Sequence, residues 1–441
     1  MASISVEGGV PLVGSLEVSG SKNSSVKLVY ASMFSNEDVT ISNVPRISRV
    51  EEDLEIVRSV GAKAQWVSEN SLVLNGSGIN SYELSSDVGR KNRTSLLLAG
   101  PLIYRYGKAS LPKIKDTSFK TSPINRFLDT WEGLGIEISE TKDHYLLDGK
   151  NLSPGDVSFK HTTRMGTESA ILSALCVNGE VNINNASEDC EVDELLKFLK
   201  TLGANVSRTD TRKIKVSGKT IFRGGSFKVG PDREDALVFL IGALITNGNV
   251  TVKGVDREEM SSFVSLLMKI GGKFEFVNDG LKVWSTGEKL NSTNVTIAAP
   301  PGLVSEWQPL ITLLLSYAEG ESTIYDTVYY DRFDYVKDLN RMGAQIDITK
   351  PSEVGLESIV TDDSYLNKDE PSTVIKTKGP VKLRPARLDV SDPRYGAVLV
   401  LAALSAVGKS ELFNAEKIEE SFQEFYGRLK ELGAKIDVLN I

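Results

Sequence analysis

Apolar and polar positions along the chain form a pattern that repeats six times. Each time a helical stretch runs into a glycine turn, and a strand of alternating apolar and polar residues follows. The turns are "SVGAKAQWV" at 59–67, "GLGIEI" at 133–138, "TLGANV" at 201–206, "KIGGKFEFV" at 269–277, "RMGAQIDI" at 341–348 and "ELGAKIDV" at 431–438. Each glycine suits a helix C-terminus in the left-handed conformation. Before the third turn, Leu195, Phe198, Leu199 and Leu202 recur at helical spacing and predict one apolar stripe.

A second motif alternates with the first. An apolar helix ends at Gly or Asn-Gly and a strand follows, as in "ESAILSALCVNGEVNI" at 168–183, "ALVFLIGALITNGNVTV" at 236–252, "LITLLLSYAEGESTI" at 310–324 and "AVLVLAALSAVGKSEL" at 397–412. Helices apolar all round belong at the centre of a fold. A chain of 441 residues exceeds one ordinary core. The pattern therefore predicts an α/β protein of two domains, each of three similar units, with helices inside and sheets outside. The break is predicted around "FKVGPDRED" at 227–235. The opening stretch "ISVEGGVPLVGSLEVSG" precedes the first complete unit and fits either domain.

Composition narrows the function. The chain is 40% hydrophobic and 25% charged, as in a soluble globular protein. A net charge of −8 argues against a general nucleic-acid binder. No apolar run is long enough for a membrane span, and "MASISVEGGVPL" lacks the basic and apolar regions of a signal peptide. A cytoplasmic protein is expected. Cys176 and Cys190 lack the setting of a nucleophile or a disulfide, and His144 and His161 lack metal-ligand spacing. No metal site is expected.

Two segments carry candidate chemistry. In "SGSKNSSVKLVYASMF", 19–34, Lys22 and Asn23 sit at the start of a predicted helix. A lysine there opposes the helix dipole unless an anion binds both. In "KIKDTSFKTSP", 113–123, Asp116 lies among three lysines. Such a loop fits closure over an anion, or an ordinary solvated turn.

Together with the six-fold repeat, "GSKN" at 20–23, "NRTSLLLAGPLIYRYG" at 92–107, "RMGTES" at 164–169, "NNASEDCEVDELLKFLKTLGA" at 184–204, "GPDRED" at 230–235, "APPGLVSEWQP" at 299–309, "DRFDYVKDLNRMGA" at 331–344 and "DPRYGAVLVLAA" at 392–403 resemble the enolpyruvyltransferase superfamily, on the side of its UDP-sugar branch. The resemblance covers essentially the whole chain. It implies two inside-out α/β domains, 20–230 and 1–19 with 231–441, and an active site between them. It further implies transfer of the enolpyruvyl group of phosphoenolpyruvate to the 3′-hydroxyl of UDP-N-acetylglucosamine, with release of phosphate, in peptidoglycan precursor synthesis. No cofactor is implied.

Residue by residue, the resemblance places Lys22 on phosphoenolpyruvate with Asn23 beside it, and Arg93 facing the substrate phosphates. Glu306 takes the place of the family's aspartate at the sugar hydroxyl, one methylene longer. Arg332 matches an arginine of the family, Val328 lies near the sugar, and Asp392 and Arg394 match an Asp-x-Arg element. Thr162, Thr163 and Arg164, after His161, occupy the uracil-side loop, where small residues are usual. In "SPIN", Ser122, Pro123, Ile124 and Asn125 match a substrate segment, with serine for arginine and asparagine for aspartate. The loop 113–123 corresponds to the family's lid, where Asp116 stands for the usual cysteine as general acid and Lys115 competes for the place. Lys120 stands for the lid arginine. In the last unit the family's cation position reads Glu420, and Lys417 comes three residues earlier. The residues also fit enolpyruvyl transfer to another nucleotide or sugar, or a non-catalytic relative that binds a UDP-sugar.

Overall fold

All six glycine turns close their helices in the same way. Gly61, Gly135, Gly203, Gly271, Gly343 and Gly433 have φ between 79° and 104°. After each, the next amide donates to the carbonyl five residues back: Ala62 to Val57, Ile136 to Trp131, Ala204 to Leu199, Gly272 to Leu267, Ala344 to Leu339 and Ala434 to Leu429, at 2.8–3.2 Å. This 6→1 bond is the signature of a Schellman cap, which needs a left-handed residue that glycine supplies without strain.

The computed structural model describes residues 3–114, 124–330, 332–359 and 369–440. The chain divides into two compact units, Met1–Ser19 with Pro231–Ile441, and Gly20–Gly230. The crossing segments are held on both sides. Ser21 N–H donates to the Gly230 carbonyl in one unit, and Asp232 N–H donates to the Ser19 carbonyl in the other, both at 2.8 Å. Gly20 has no room for a side chain, because a Cβ would lie 1.7 Å from the Asn43 carbonyl oxygen.

In the unit Gly20–Gly230, three sheets surround a helical core. Their strands run in the orders 225–228, 39–42, 71–75, 63–68; then 108–112, 144–148, 137–140; then 205–210, 213–217, 180–184, 155–158. The helices Lys22–Ser32 and Arg164–Ala174 are buried along nearly their whole length. Ser48–Ser59, Asn125–Gly133 and Cys190–Thr201 bury one stripe each. Leu195, Phe198, Leu199 and Leu202 are all fully buried, as their spacing predicts.

The unit Met1–Ser19 with Pro231–Ile441 repeats the plan. Its sheets take the orders 387–389, 408–413, 3–8, 435–440; then 273–277, 280–284, 249–253, 13–17; then 290–291, 318–326, 374–379, 346–349. The opening strands Ser3–Gly8 and Val13–Glu17 thus belong to sheets built with the C-terminal half. Arg233–Ile245, Gln308–Ser316 and Pro393–Ser405 form the central helices. Buried Asp235 receives the guanidinium of Arg428 on one side and the Ser19 hydroxyl, at 3.0 Å, on the other. That carboxylate joins the helix Phe425–Glu431, the helix Arg233–Ile245 and the crossing segment at Ser19.

A prediction follows from the shared caps. A Cβ at Gly343 would meet nothing nearer than the Lys382 carbonyl oxygen at 3.6 Å. Gly343→Ala therefore tests the left-handed backbone and not a clash. Urea unfolding is expected to show a loss of about 1 kcal/mol. Gly343→Asn should lose less, because asparagine tolerates this conformation better.

Candidate active site

The candidate residues cluster where central helices begin. In the unit Gly20–Gly230, the Ser21 hydroxyl accepts from Ser24 N–H at 3.2 Å and starts the helix at Lys22. Lys22 and Asn23 are half-buried in a first turn that contains no acidic residue. An ammonium at the positive end of a helix dipole forms a strong field for an anion.

Arg93 opens the 3-10 turn Arg93–Leu98, which Asn92 caps by accepting from Thr94 N–H at 3.0 Å. One Arg93 nitrogen donates to the Met165 sulfur at 3.4 Å. This brings Arg93 to the start of the helix Arg164–Ala174. There the Thr163 hydroxyl accepts from Gly166 N–H at 3.3 Å, and Thr162 beside it is half-buried. The Arg164 guanidinium lies 3.7 Å from Asp189 and 4.0 Å from Glu191. Its charge is met by protein carboxylates.

Sequence reading did not single out Asp53. It is fully buried and accepts from the Tyr30 hydroxyl at 2.5 Å, from Asn92 at 3.0 Å and from the Thr94 hydroxyl. Burial pushes its carboxyl above the usual range. Asp53 thereby ties the Lys22 helix to the turn that presents Arg93. Its signal was available: it stands three residues after Val50 and next to Leu54, on the apolar stripe of its helix.

Asp116, Lys115, Lys120, Ser122 and Pro123 lie outside the described residues. Before those residues, Lys113 pairs with Glu140 at 2.6 Å. After them, half-buried Ile124 precedes the helix Asn125–Gly133, whose first residue is exposed.

In the other unit, one carboxylate gathers three candidates. Asp326 ends the strand Ala318–Asp326 and is buried. It accepts from the Ser305 hydroxyl at 2.8 Å, from Val328 N–H at 2.9 Å and from Tyr329 N–H at 3.1 Å. Half-buried Glu306 follows Ser305 in the turn Ser305–Trp307, which leads into the helix Gln308–Ser316. The Arg332 guanidinium stacks 3.4 Å from the centre of the Tyr329 ring. Asp326 thus fixes the turn of Glu306 against the loop of Val328 and Arg332.

Asp392 immediately precedes the helix Pro393–Ser405, and Arg394 is its second residue; the Arg394 side chain lies outside what is described. Glu420 is exposed, after the short helix Glu416–Glu419. Lys417 is half-buried, and its ammonium donates to the Ser391 carbonyl at 3.5 Å. A cation three residues before Glu420 therefore reaches the residue just ahead of the Asp-Pro-Arg element.

Cys176 is buried, and burial holds its thiol well above the ordinary value, so it is no thiolate. No helix among the described residues is long and apolar enough to cross a membrane.

Two inside-out units, with charged and polar candidates at the starts of their inner helices, define the enolpyruvyltransferase architecture. Residues 6–429 match the family described as EPSP synthase (3-phosphoshikimate 1-carboxyvinyltransferase), and the chain belongs to that family. It is 29% identical over 437 residues to UDP-N-acetylglucosamine 1-carboxyvinyltransferase 1 of Legionella pneumophila, covering 98% of this chain and 82% of the relative. It is also 29% identical to the UDP-N-acetylglucosamine 1-carboxyvinyltransferase of Vesicomyosocius okutanii, covering 99% of each. The enolpyruvyl transferase NikO from Streptomyces tendae shares the fold, with a TM-score of 0.86, 23% identity and all of both chains covered.

Asp326 carries a pH prediction. Burial pushes its carboxyl from 3.8 up to about 6, against the lowering effect of its hydrogen bonds and Arg332. Between those values the folded chain holds a proton that the unfolded chain has released. Its contribution to stability is therefore fully present below about pH 4 and declines as pH rises through about 6, by up to roughly 3 kcal/mol. Asp326→Asn should flatten this part of the slope when urea unfolding of variant and parent is compared at pH 4 and pH 7.

Proposed function

We propose that the chain transfers the enolpyruvyl group of phosphoenolpyruvate to the 3′-hydroxyl of UDP-N-acetylglucosamine, releasing phosphate, in the cytoplasm. Family membership over residues 6–429 and the names of full-length relatives support the reaction. The observation that carries it is the position of Lys22, Asn23 and Arg93 at the starts of inner turns and helices of one unit, with Glu306, Asp392 and Arg394 at helix starts of the other. No metal or cofactor enters this reading.

Phosphoenolpyruvate is a small polyanion and needs converging cations. Lys22, Arg93, Arg332 and Arg394 are assigned that role, and the amides at the Lys22 helix start add to it. Glu306 takes the proton of the sugar hydroxyl as that oxygen attacks C2 of phosphoenolpyruvate. Asp116 delivers a proton to the methylene carbon, which becomes a methyl group. The tetrahedral adduct then loses a proton from that methyl as the bond to the phosphate oxygen breaks. Phosphate leaves, and the enol ether remains. Thr162, Thr163, Arg164, Ile124 and Asn125, with Lys120, Ser122 and Pro123, are assigned to the UDP-sugar, and Val328 and Asp392 to its sugar and hydroxyl side.

Phosphate release is expected only when both substrates are present. Lys22→Ala should lower kcat by at least on the order of 100-fold, the scale of one lost electrostatic group at a developing charge. Asp116→Asn should do the same, since an amide cannot supply the proton. Activity surviving Asp116→Asn moves the acid elsewhere, with Lys115 next. Fosfomycin, which alkylates the lid cysteine of typical relatives, should cause no time-dependent inactivation.

Lys417 is assigned the cation place that Glu420 leaves open. Lys417→Ala should raise KM for phosphoenolpyruvate by on the order of tenfold while leaving KM for the sugar nucleotide near the parent value. Glu420→Ala should change neither. The reverse pattern would place Glu420, not Lys417, at the substrate.

A further inference from the structure

A second buried charge pair lies beneath the helix starts of the unit Gly20–Gly230, in a place where an apolar core is expected. Lys27 and Glu168 are 4% and 0% exposed, and their charges stand 3.7 Å apart. Neither carboxylate oxygen of Glu168 accepts a hydrogen bond from another described residue. Burial lowers the Lys27 ammonium and raises the Glu168 carboxyl, each against the pull of the other. Such a pair is a poor source of stability, because desolvation offsets the attraction and apolar side chains of similar bulk often serve as well.

Its position gives it another use. Lys27 lies five residues into the helix that begins with Lys22 and Asn23, about 7.5 Å along the axis. Glu168 lies four residues after Arg164, on the helix capped by Thr163, about 6 Å along its axis. The two helices present residues assigned to different substrates. A charge contact of 3.7 Å between long side chains at nearly equal depth ties how far one helix start projects to how far the other does. Apolar packing tolerates sliding that an ion pair does not.

Resting on the functional reading above, we propose that Lys27 and Glu168 are positioning residues that hold the Lys22–Asn23 turn and the Thr163–Arg164 turn in register. They set the separation of bound phosphoenolpyruvate and acceptor without touching either.

The test compares Lys27→Met/Glu168→Leu with the parent chain. This variant removes both members of the pair together and so leaves neither charge buried without the other, and it should fold and unfold thermally near the parent temperature. Its kcat for phosphate release is expected to fall by on the order of 10- to 100-fold, with much smaller changes in KM, because misplaced reactants slow the chemical step. Amide hydrogen exchange should quicken at 23–27 and 164–168 and stay unchanged elsewhere in the unit. If the variant fails to fold, Lys27→Gln/Glu168→Gln is measured in the same way. A folded variant with the parent kcat and parent exchange at both helix starts overturns the proposal. The exchange measurement needs no substrate. A parent chain that releases no phosphate would contradict the functional reading, while exchange at the two helix starts alone would still decide the positioning role.

Discussion

The fold rests on one constraint: its central helices are enclosed by its own sheets. A helix surrounded on all sides has to be apolar along its length, because an unpaired polar group there would lose its hydration without a partner. Arg233–Ile245, Gln308–Ser316 and Pro393–Ser405 follow this most closely, whereas Lys22–Ser32 and Arg164–Ala174 also bury polar side chains such as Ser24, Lys27, Glu168 and Ser173. The polar residues assigned to substrates then fall at the ends. At the N-terminal ends they meet amides that have no helical partner. Lys22, Thr163, Arg164, Glu306, Asp392 and Arg394 all stand at or beside such starts. The same arrangement that builds each core therefore places candidate site residues at helix starts.

Within each unit, buried carboxylates convert separate helix starts into fixed frames. Asp53 joins Tyr30, Asn92 and Thr94, and so couples Lys22 to Arg93. Asp326 joins Ser305, Val328 and Tyr329, and so couples Glu306 to Arg332. Asp235 joins Ser19 to Arg428 at the crossing segment. Each is held by several donors, which is what makes a buried carboxylate tolerable.

The repeat was legible because its signals are local. Six glycines that must be left-handed, and strands that alternate in burial, can be read within a few residues. The residues at helix starts were also legible, since capping and motif spacing are short-range. The buried pairs were not. Asp53 meets Asn92 and Thr94 across about forty residues, and Lys27 meets Glu168 across far more. Nothing near Lys27 in the sequence says that a carboxylate waits for it. Lys417 shows another limit: its offset from Glu420 is plain in the sequence, but that its long side chain reaches the Ser391 carbonyl is visible only in the fold.

The central claim is that these helix starts serve enolpyruvyl transfer to a sugar nucleotide. Its most direct test is to incubate the chain with phosphoenolpyruvate and UDP-N-acetylglucosamine and to identify the product by mass and by nuclear magnetic resonance. A carboxyvinyl ether at the 3′ oxygen, formed one for one with phosphate, is the predicted result. Well-folded protein that leaves UDP-N-acetylglucosamine unchanged, or that forms the ether on a different nucleotide or sugar, would contradict it.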